Sequence, residues 1–527
     1  MDPFYFLAIA TIIAVALKSD SSEGYRILGI FPLHGKSRSI FGEQLMKTFA
    51  RKGHQVDVIS HFPLKEHFPN YTDLSIRGSL PEFTGNFSYD LIENFPIGSM
   101  ESLMKMTGDS ICDLLKHPVI NNLIKNPPKN PPYDLVIVEY FSAQCYFAFG
   151  RHLKVPMIGV SISVLLEWQN YPLGNPTSSA FVPGGFTDFP SKMNFWQRLK
   201  NELLSKIVIY QFNNLASRQK KYVDENFGPG YPSIYELSKE MALVFVNSHY
   251  SLNGIRPLTP GVVEIGGIHI QDNQEKLSPE LQKWLDESKH GCVYVSFGSM
   301  VTLESFPRKT LQAFYAAFKN IAPVRVLMKI VNTDKMPLGL PENVLTHRWL
   351  PQIQVLKHKN VKAFVTHGGL MSTLESIYAG VPMIGFPLFG DQFYNLKIYE
   401  KKTILVTLDH HNVTEEKFTE ALNTILKNPE YRNNMEKISK LYFDRPSTPQ
   451  ETVLFWAEYV IRNKNILKSP AANLAWWQVE LLDVYGFILF IALFALYVLF
   501  LIIKISFKYI FITLRSDKNA ILSKKQK

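Results

Sequence analysis

Residues 349–392 read WLPQIQVLKHKNVKAFVTHGGLMSTLESIYAGVPMIGFPLFGDQ. Lys362–Thr366 and Pro382–Phe386 are short runs rich in strand formers, and Ser372–Ala379 between them has helical spacing and closes on Gly380. Strand, helix and strand in that order predict a βαβ unit, with both strands parallel in one sheet. The turn into the helix is His367-Gly368-Gly369. Glycine lets a ligand approach the main chain closely. A helix start offers unpaired N–H groups and the positive end of the dipole, so Gly369 and Ser372 are placed to meet an anion. His367 adds a donor for a phosphate, and Glu375, expected in the helix's first turn, suits ribose hydroxyls. Trp349 and Gln352 offer a flat face and an amide to a nucleobase; Asp391 and Gln392 offer acceptors and donors to a sugar. Taken singly, His367 reads as a loop histidine, Trp349 as a packing residue and Glu375 as a capping acid. Together, at strand C-termini of one sheet, they point to a nucleotide.

The same alternation extends upstream. Cys292–Phe297, Val326–Ile330 and Val344–Arg348 read as further strands of this series. Phe297-Gly298-Ser299 closes the first of them with a small, hydroxylated turn that suits phosphate, which adds Gly298 and Ser299 to the candidate site. An earlier series begins with strand Arg26–Phe31, a loop Pro32–Ser39, a helix Phe41–Lys52 ended by Gly53, and strand Gln55–Ser60. Asp134–Val138, Pro156–Val160 and Leu243–Asn247 continue it. Two βαβ series in tandem predict an α/β chain with two doubly wound, Rossmann-like domains, and a ligand cleft outside the strand C-termini. The Pro- and Gly-rich stretch NGIRPLTPGVVEIGG (253–267) is the expected boundary, giving domains 23–260 and 261–483.

The 527 residues have a mean hydropathy of −0.03 with 19% charged residues, which excludes both a disordered chain and a polytopic transporter. The formal charge is +10, of which residues 504–527 alone supply +6. That places the basic charge beside a membrane and argues against nucleic acid as a partner. Phe4–Leu17 suits the apolar core of a signal peptide, taken as 1–22. The uncharged run 484–503 is long enough to span a bilayer, and the cations of 504–527 follow it, so the tail is expected in the cytosol and the globular part in the lumen. The ending Lys524-Lys525-Gln526-Lys527 is similar to a dilysine retrieval signal, implying a single-pass protein of the endoplasmic reticulum membrane. Sequons at Asn70, Asn86 and Asn412 fall on the luminal side. Cys112, Cys145 and Cys292 are too few and too scattered for a disulfide framework or a zinc site.

WLPQ at 349–352, VTHGGLMSTLESIYAGVPMIGFPLFGDQ at 365–392 and FGS at 297–299 closely resemble the signature of UDP-glycosyltransferases. Arg445–Asn463, Ser469–Val484, the apolar run and the dilysine tail extend the likeness over nearly the whole chain, most of all to insect members of the membrane-bound animal enzymes. The resemblance implies a GT-B fold. The C-terminal domain would hold a UDP-sugar and the N-terminal domain a small lipophilic acceptor, for which Ile162–Leu166 is a candidate apolar wall. It implies inverting transfer from a hexose donor, glucose first among them, with no cofactor and no metal; the chain contains no Asp-x-Asp. Partners are then the UDP-sugar, the acceptor and membrane lipid, with homo- or hetero-oligomers left open.

Departures from the family pattern gather at the catalytic base. The family places a His 16 residues before the His of a Gly-His pair; here that pair is Gly53-His54, and Arg38 stands at the position. Arginine stays protonated and does not act as a base. His34, four residues earlier in the same loop, is the candidate substitute, and Glu139 the candidate partner acid. Insect relatives often carry an Asp where this chain has Gln144, and Asn or Gly where it has Met371. Two readings are open. One is a hexosyltransferase of the endoplasmic reticulum; the other is a nucleotide-sugar-binding protein with impaired catalysis that acts as partner or regulator of active relatives. A sugar-nucleotide epimerase shares the architecture and is disfavoured by the membrane anchor.

Overall fold

Runs such as Leu135–Glu139 (LVIVE) and Met241–Val246 (MALVFV) are buried at every residue, as strands covered by helices on both faces must be. The computed structural model describes residues 24–94, 99–185, 187, 189–271 and 276–524, so the signal-peptide reading of 1–22 lies outside the described residues. Residues up to Ser469 form one compact unit and Pro470–Lys527 another.

In the first unit, β1 (Arg26–Phe31), β2 (Gln55–Ser60), β3 (Tyr71–Ser75), β4 (Leu135–Glu139), β5 (Met157–Ser161), β6 (Met241–Val246) and β7 (Val262–Glu264) form a parallel sheet in the order β3-β2-β1-β4-β5-β6-β7. A second parallel sheet takes β8 (Cys292–Ser296), β9 (Arg325–Lys329), β10 (Val344–His347), β11 (Val361–Thr366), β12 (Met383–Gly385) and β13 (Leu405–Thr407) in the order β10-β9-β8-β11-β12-β13. Each order reverses once, between β1 and β4 and between β8 and β11. A crevice opens at the C-terminal ends of strands at such reversals. The candidate residues carried by strand ends or the turns after them belong to β1, β4, β8, β10, β11 and β12.

Five helices frame the candidate residues or cover the sheets: α1 (Lys36–Arg51), α2 (Phe195–Ser217), α3 (Leu370–Tyr378), α4 (Gln392–Lys401) and α5 (Pro449–Asn463). α5 buries Val453, Ala457 and Val460 among Ile27, Phe41 and Leu45, so the chain returns from the second sheet to cover the first. A crossing also runs the other way. Phe87, Tyr89 and Ile92 join the second sheet's core, and Gly85 N–H donates to Ser299 O at 2.8 Å.

Four expectations need correction. The expected boundary contains a strand, since Val262–Glu264 pairs with β6 and carries the first sheet past residue 260. β3 and β13 were not foreseen from the sequence; β13, like β7, has only three residues, too few to show a period. α1 begins at Lys36, so Arg38 stands in a helical first turn and not in a loop. Cys112 and Cys145 form a disulfide. Three cysteines exclude a framework, but a bridge needs two, and folding brings these together across 33 residues of sequence.

The second unit holds α6 (Leu482–Lys524). Its stretch Leu482–Ser516 is the one helix among the described residues long and apolar enough to cross a membrane, and none of it is buried. It contains the expected span 484–503 and continues as helix through most of the basic tail.

Candidate active site

β11 ends at Thr366, and Gly368 turns the chain with a φ of +88°. A Cβ there would lie 2.6 Å from Leu396 Cγ, so only glycine fits. α3 then starts at Leu370 with Gly369 as its N-cap, two residues earlier than expected. Its N-cap glycine has no side chain to close it, and the first N–H, that of Leu370, turns to the Asp391 carboxylate. Glu375 accordingly lies in the second turn, not the first.

The His367 ring rests across two glycines. A Cβ at Gly298 would sit 2.7 Å from its Cε1, and one at Gly369 would sit 2.8 Å from its Nε2. Its Nδ1 is buried without a partner, as is Ser299 Oγ. Burial, and then the nearby Lys329, push the His367 pKa down to about 4, so the ring is neutral at pH 7 and offers one N–H and one lone pair. Lys329 ends β9 and was missed from the sequence. Its Nζ donates to Gly298 O at 2.6 Å and lies 4.8 Å from the centre of the Trp349 ring. Burial lowers its pKa to about 8. A lysine closing the apolar run RVLMK (325–329), on the strand beside β8, was the available signal.

Trp349 is 47% exposed, with Lys329 over one face of its ring. Gln352 is not free beside it. The Tyr294 hydroxyl donates to Gln352 Oε1 at 3.2 Å, and Gln352 Nε2 donates to Glu375 Oε2 at 2.6 Å. Burial raises the Glu375 pKa to about 7, against the lowering effect of that hydrogen bond. His269, from beyond β7, lies 3.6 Å from Glu375. Gln392 serves the backbone: its Oε1 accepts from the N–H groups of Leu388 and Phe389 at 2.8 and 3.0 Å. Asp391 precedes α4 and accepts from Asn395 Nδ2 at 2.8 Å. Burial raises its pKa, while Asn395, Arg38 and the Leu370 N–H pull it down. Asn395 also donates to Gly368 O at 3.2 Å, tying α4 to the glycine turn.

The first sheet answers differently. Glu139 ends β4, buried, and its Oε1 accepts from Arg38 Nη1 at 2.6 Å. Burial raises its pKa and Arg38 opposes the rise. The Arg38 guanidinium lies 4.5 Å from the Phe141 ring and also acts on Asp391, so one cation faces a carboxylate from each sheet. His34, buried, turns to Phe83 at 4.2 Å and His61 at 5.8 Å between ring centres. Its Nδ1 has no partner, and burial lowers its pKa. The partner of Glu139 is therefore Arg38 and not His34. Gln144 is buried in the first core, beside Gln219, and Met371 rests on the apolar cluster of β1 and α1. A hollow of about 70 Å³ is lined in part by Val164, Leu165, Glu167, Val182, Ile209 and Arg256. Arg256 Nη2 donates to Tyr394 OH on α4 at 2.7 Å. Among the described residues, the one group able to gather three ligand atoms for a metal ion is Glu93, His410 and His411, none of which belongs to these arrangements.

A model of the UDP-glucoronosyl and UDP-glucosyl transferase family matches residues 63–518. The chain is 34% identical over 524 residues to UDP-glycosyltransferase UGT5 of Dactylopius coccus, covering 96% of each sequence. It is 34% identical to UDP-glucosyltransferase 2 of the same insect, covering 92% of this chain and 93% of that one. Among solved structures, Arabidopsis thaliana UGT89C1 superposes with a TM-score of 0.57 at 16% identity, over 83% of this chain and all of the other.

Proposed function

The chain belongs to the family of UDP-glucuronosyl and UDP-glucosyl transferases and has the GT-B fold, and from that premise we propose that it moves glucose from UDP-glucose to a hydroxyl of a small lipophilic acceptor, with inversion and without a metal. The observation that carries the donor half is the His367 ring lying across Gly298 and Gly369 at the glycine-capped start of α3. That arrangement supports a diphosphate held by main-chain N–H groups, the imidazole and Lys329. Trp349 is the face for uracil, Glu375 the acceptor for ribose, and Asp391 the acceptor for the sugar. Gln352 and Gln392 act through others: the first holds Glu375, the second shapes the turn before α4. The acceptor lies in the hollow beside Val164 and Leu165.

Transfer requires the acceptor oxygen to form a bond to C1 of the sugar as the bond from C1 to the UDP oxygen breaks, while the acceptor proton passes to a base. His34 is the proposed base, since a lowered pKa keeps its lone pair free at pH 7. Glu139 cannot orient it while bound to Arg38. That ion pair favours the second reading, a UDP-sugar-binding protein with slow turnover that serves active relatives. In both readings α6 anchors the chain in the endoplasmic reticulum membrane with the first unit in the lumen. A radiolabelled UDP-sugar transfer assay on membranes, across phenols and alcohols, tests the proposal. Labelled product supports transfer; UDP protecting the protein against heat without product from any acceptor selects the second reading.

A further inference from the structure

Three side chains meet where the chain of the first sheet crosses onto the second. Glu93 belongs to the short helix Tyr89–Asn94, and His410 and His411 to the turn His410–Asn412 after β13. Glu93 Oε1 lies 3.2 Å from His410 Nε2, and Glu93 Oε2 lies 3.7 Å from His411 Nδ1. The second distance is too long for a hydrogen bond, so a pair of hydrogen bonds does not account for the arrangement. Ligand atoms on a tetrahedral zinc ion stand roughly 3.3 Å from one another, close to both distances. Asp409 builds the turn. Its carboxylate accepts from His411 N–H at 3.0 Å and from Asn412 Nδ2 at 2.7 Å, and the two imidazoles lie side by side with ring centres 4.0 Å apart. Protonating both rings would bring two positive charges together, whereas one divalent cation takes a lone pair from each. The surroundings are acidic: burial first, then Glu93 and Asp409, raise the Tyr89 phenol to about 12, and its hydroxyl stands 3.5 Å from His411 Nδ1.

We propose that Glu93, His410 and His411 hold a zinc ion that fastens residues 83–94 to the second sheet. Two imidazoles and one carboxylate suit a borderline transition metal, whereas magnesium and calcium prefer oxygen alone. Three protein ligands leave the fourth position to water. The segment is already tied at intervals. Phe83 N–H donates to His34 O at 3.0 Å, Phe87 N–H to Met300 O at 3.1 Å, and Tyr89 N–H to Ser305 Oγ at 2.7 Å. Glu93 is the next step of this series, and the ion joins it to His410, 317 residues further along the chain. None of the three ligands belongs to the donor or base arrangements, so the ion is structural and stands outside the metal-free transfer proposed above.

The full chain, purified in detergent through a tag that contains no histidine, is stripped with a chelator and titrated with Zn²⁺ alone and with Mg²⁺ alone. One Zn²⁺ per chain is expected, with a rise in the unfolding midpoint, and no response to Mg²⁺. Glu93→Gln and His411→Ala should each weaken zinc at least about 10–100-fold, the loss that removing even an outer-shell partner causes, and leave the metal-free midpoint unchanged. Their side chains are 34% and 53% exposed, so both variants are expected to fold. His67→Ala, at an exposed histidine outside the group, should bind as the unaltered chain does. With Co²⁺ in place of zinc the unaltered chain should show no sulfur band, because Cys292 is buried and the other two cysteines are joined. His411→Cys should keep the metal and add a thiolate-to-cobalt charge-transfer band. A chain that takes up no Zn²⁺ overturns the proposal. So does zinc affinity that survives Glu93→Gln and His411→Ala, or a His411→Cys chain that binds Co²⁺ without the thiolate band.

Discussion

At the end of β11 the chain presents a neutral imidazole with a buried, unpartnered nitrogen beside a glycine-capped helix start. At the end of β4, the matching reversal point of the first sheet, it presents a carboxylate already joined to Arg38 at 2.6 Å. One half has polar atoms waiting for a ligand. The other has satisfied its principal acid internally, and the same cation leans on Asp391 of the donor half. The contrast teaches that, in the proposed reading, binding UDP and moving the sugar would rest on different groups, so that each could be lost without the other.

The largest separation is expected from His34→Ala. If His34 is the base, transfer should fall about 10²–10⁴-fold while UDP protection against heat stays intact. Unchanged turnover removes His34 from the mechanism. Arg38→His addresses the same half from the opposite side. Replacing a permanent cation by a titratable base should raise turnover on a phenolic acceptor by about 10²-fold, and no gain with UDP-sugar still bound dismisses the ion pair as the brake. On the donor half, His367→Ala with Glu375→Ala should abolish protection by UDP, a loss of about 2.7 kcal/mol at a ligand concentration 100 times Kd. Protection that survives both changes would place the nucleotide elsewhere.

The smallest effect is a slope with pH. Lys329, at about 8, is protonated at pH 7 and loses its charge as pH rises through that value. An anion bound there favours the protonated lysine, so UDP protection should weaken from pH 7 to pH 9. Lys329→Gln should flatten the slope, whereas Arg38, which stays charged, should contribute none.

Much of the donor half was legible because it is local. Strand, glycine turn and helix follow one another within residues 361–378, and each step has its own signal in residue type and period. The errors there were small: a helix start two residues early, and Gln352 and Gln392 holding neighbours rather than facing a ligand. Lys329, Tyr294 and His269 were not legible as members of the site. They come from separate strands and loops, and only sheet order sets them beside His367 and Glu375.

From its residues alone, then, the chain determined a pair of parallel sheets, a glycine turn leading into a helix and a cationic residue at the position where the family pattern has its base. Short-range steric and hydrogen-bonding preferences decide such features within a few residues. Tertiary structure alone decided that Arg38 meets Glu139 across 101 residues of sequence, that Cys112 meets Cys145, and that His34 turns to Phe83 and His61. Partners so distant along the chain are chosen by burial, because a charge or polar atom taken out of water must find whatever complement the fold has placed nearby.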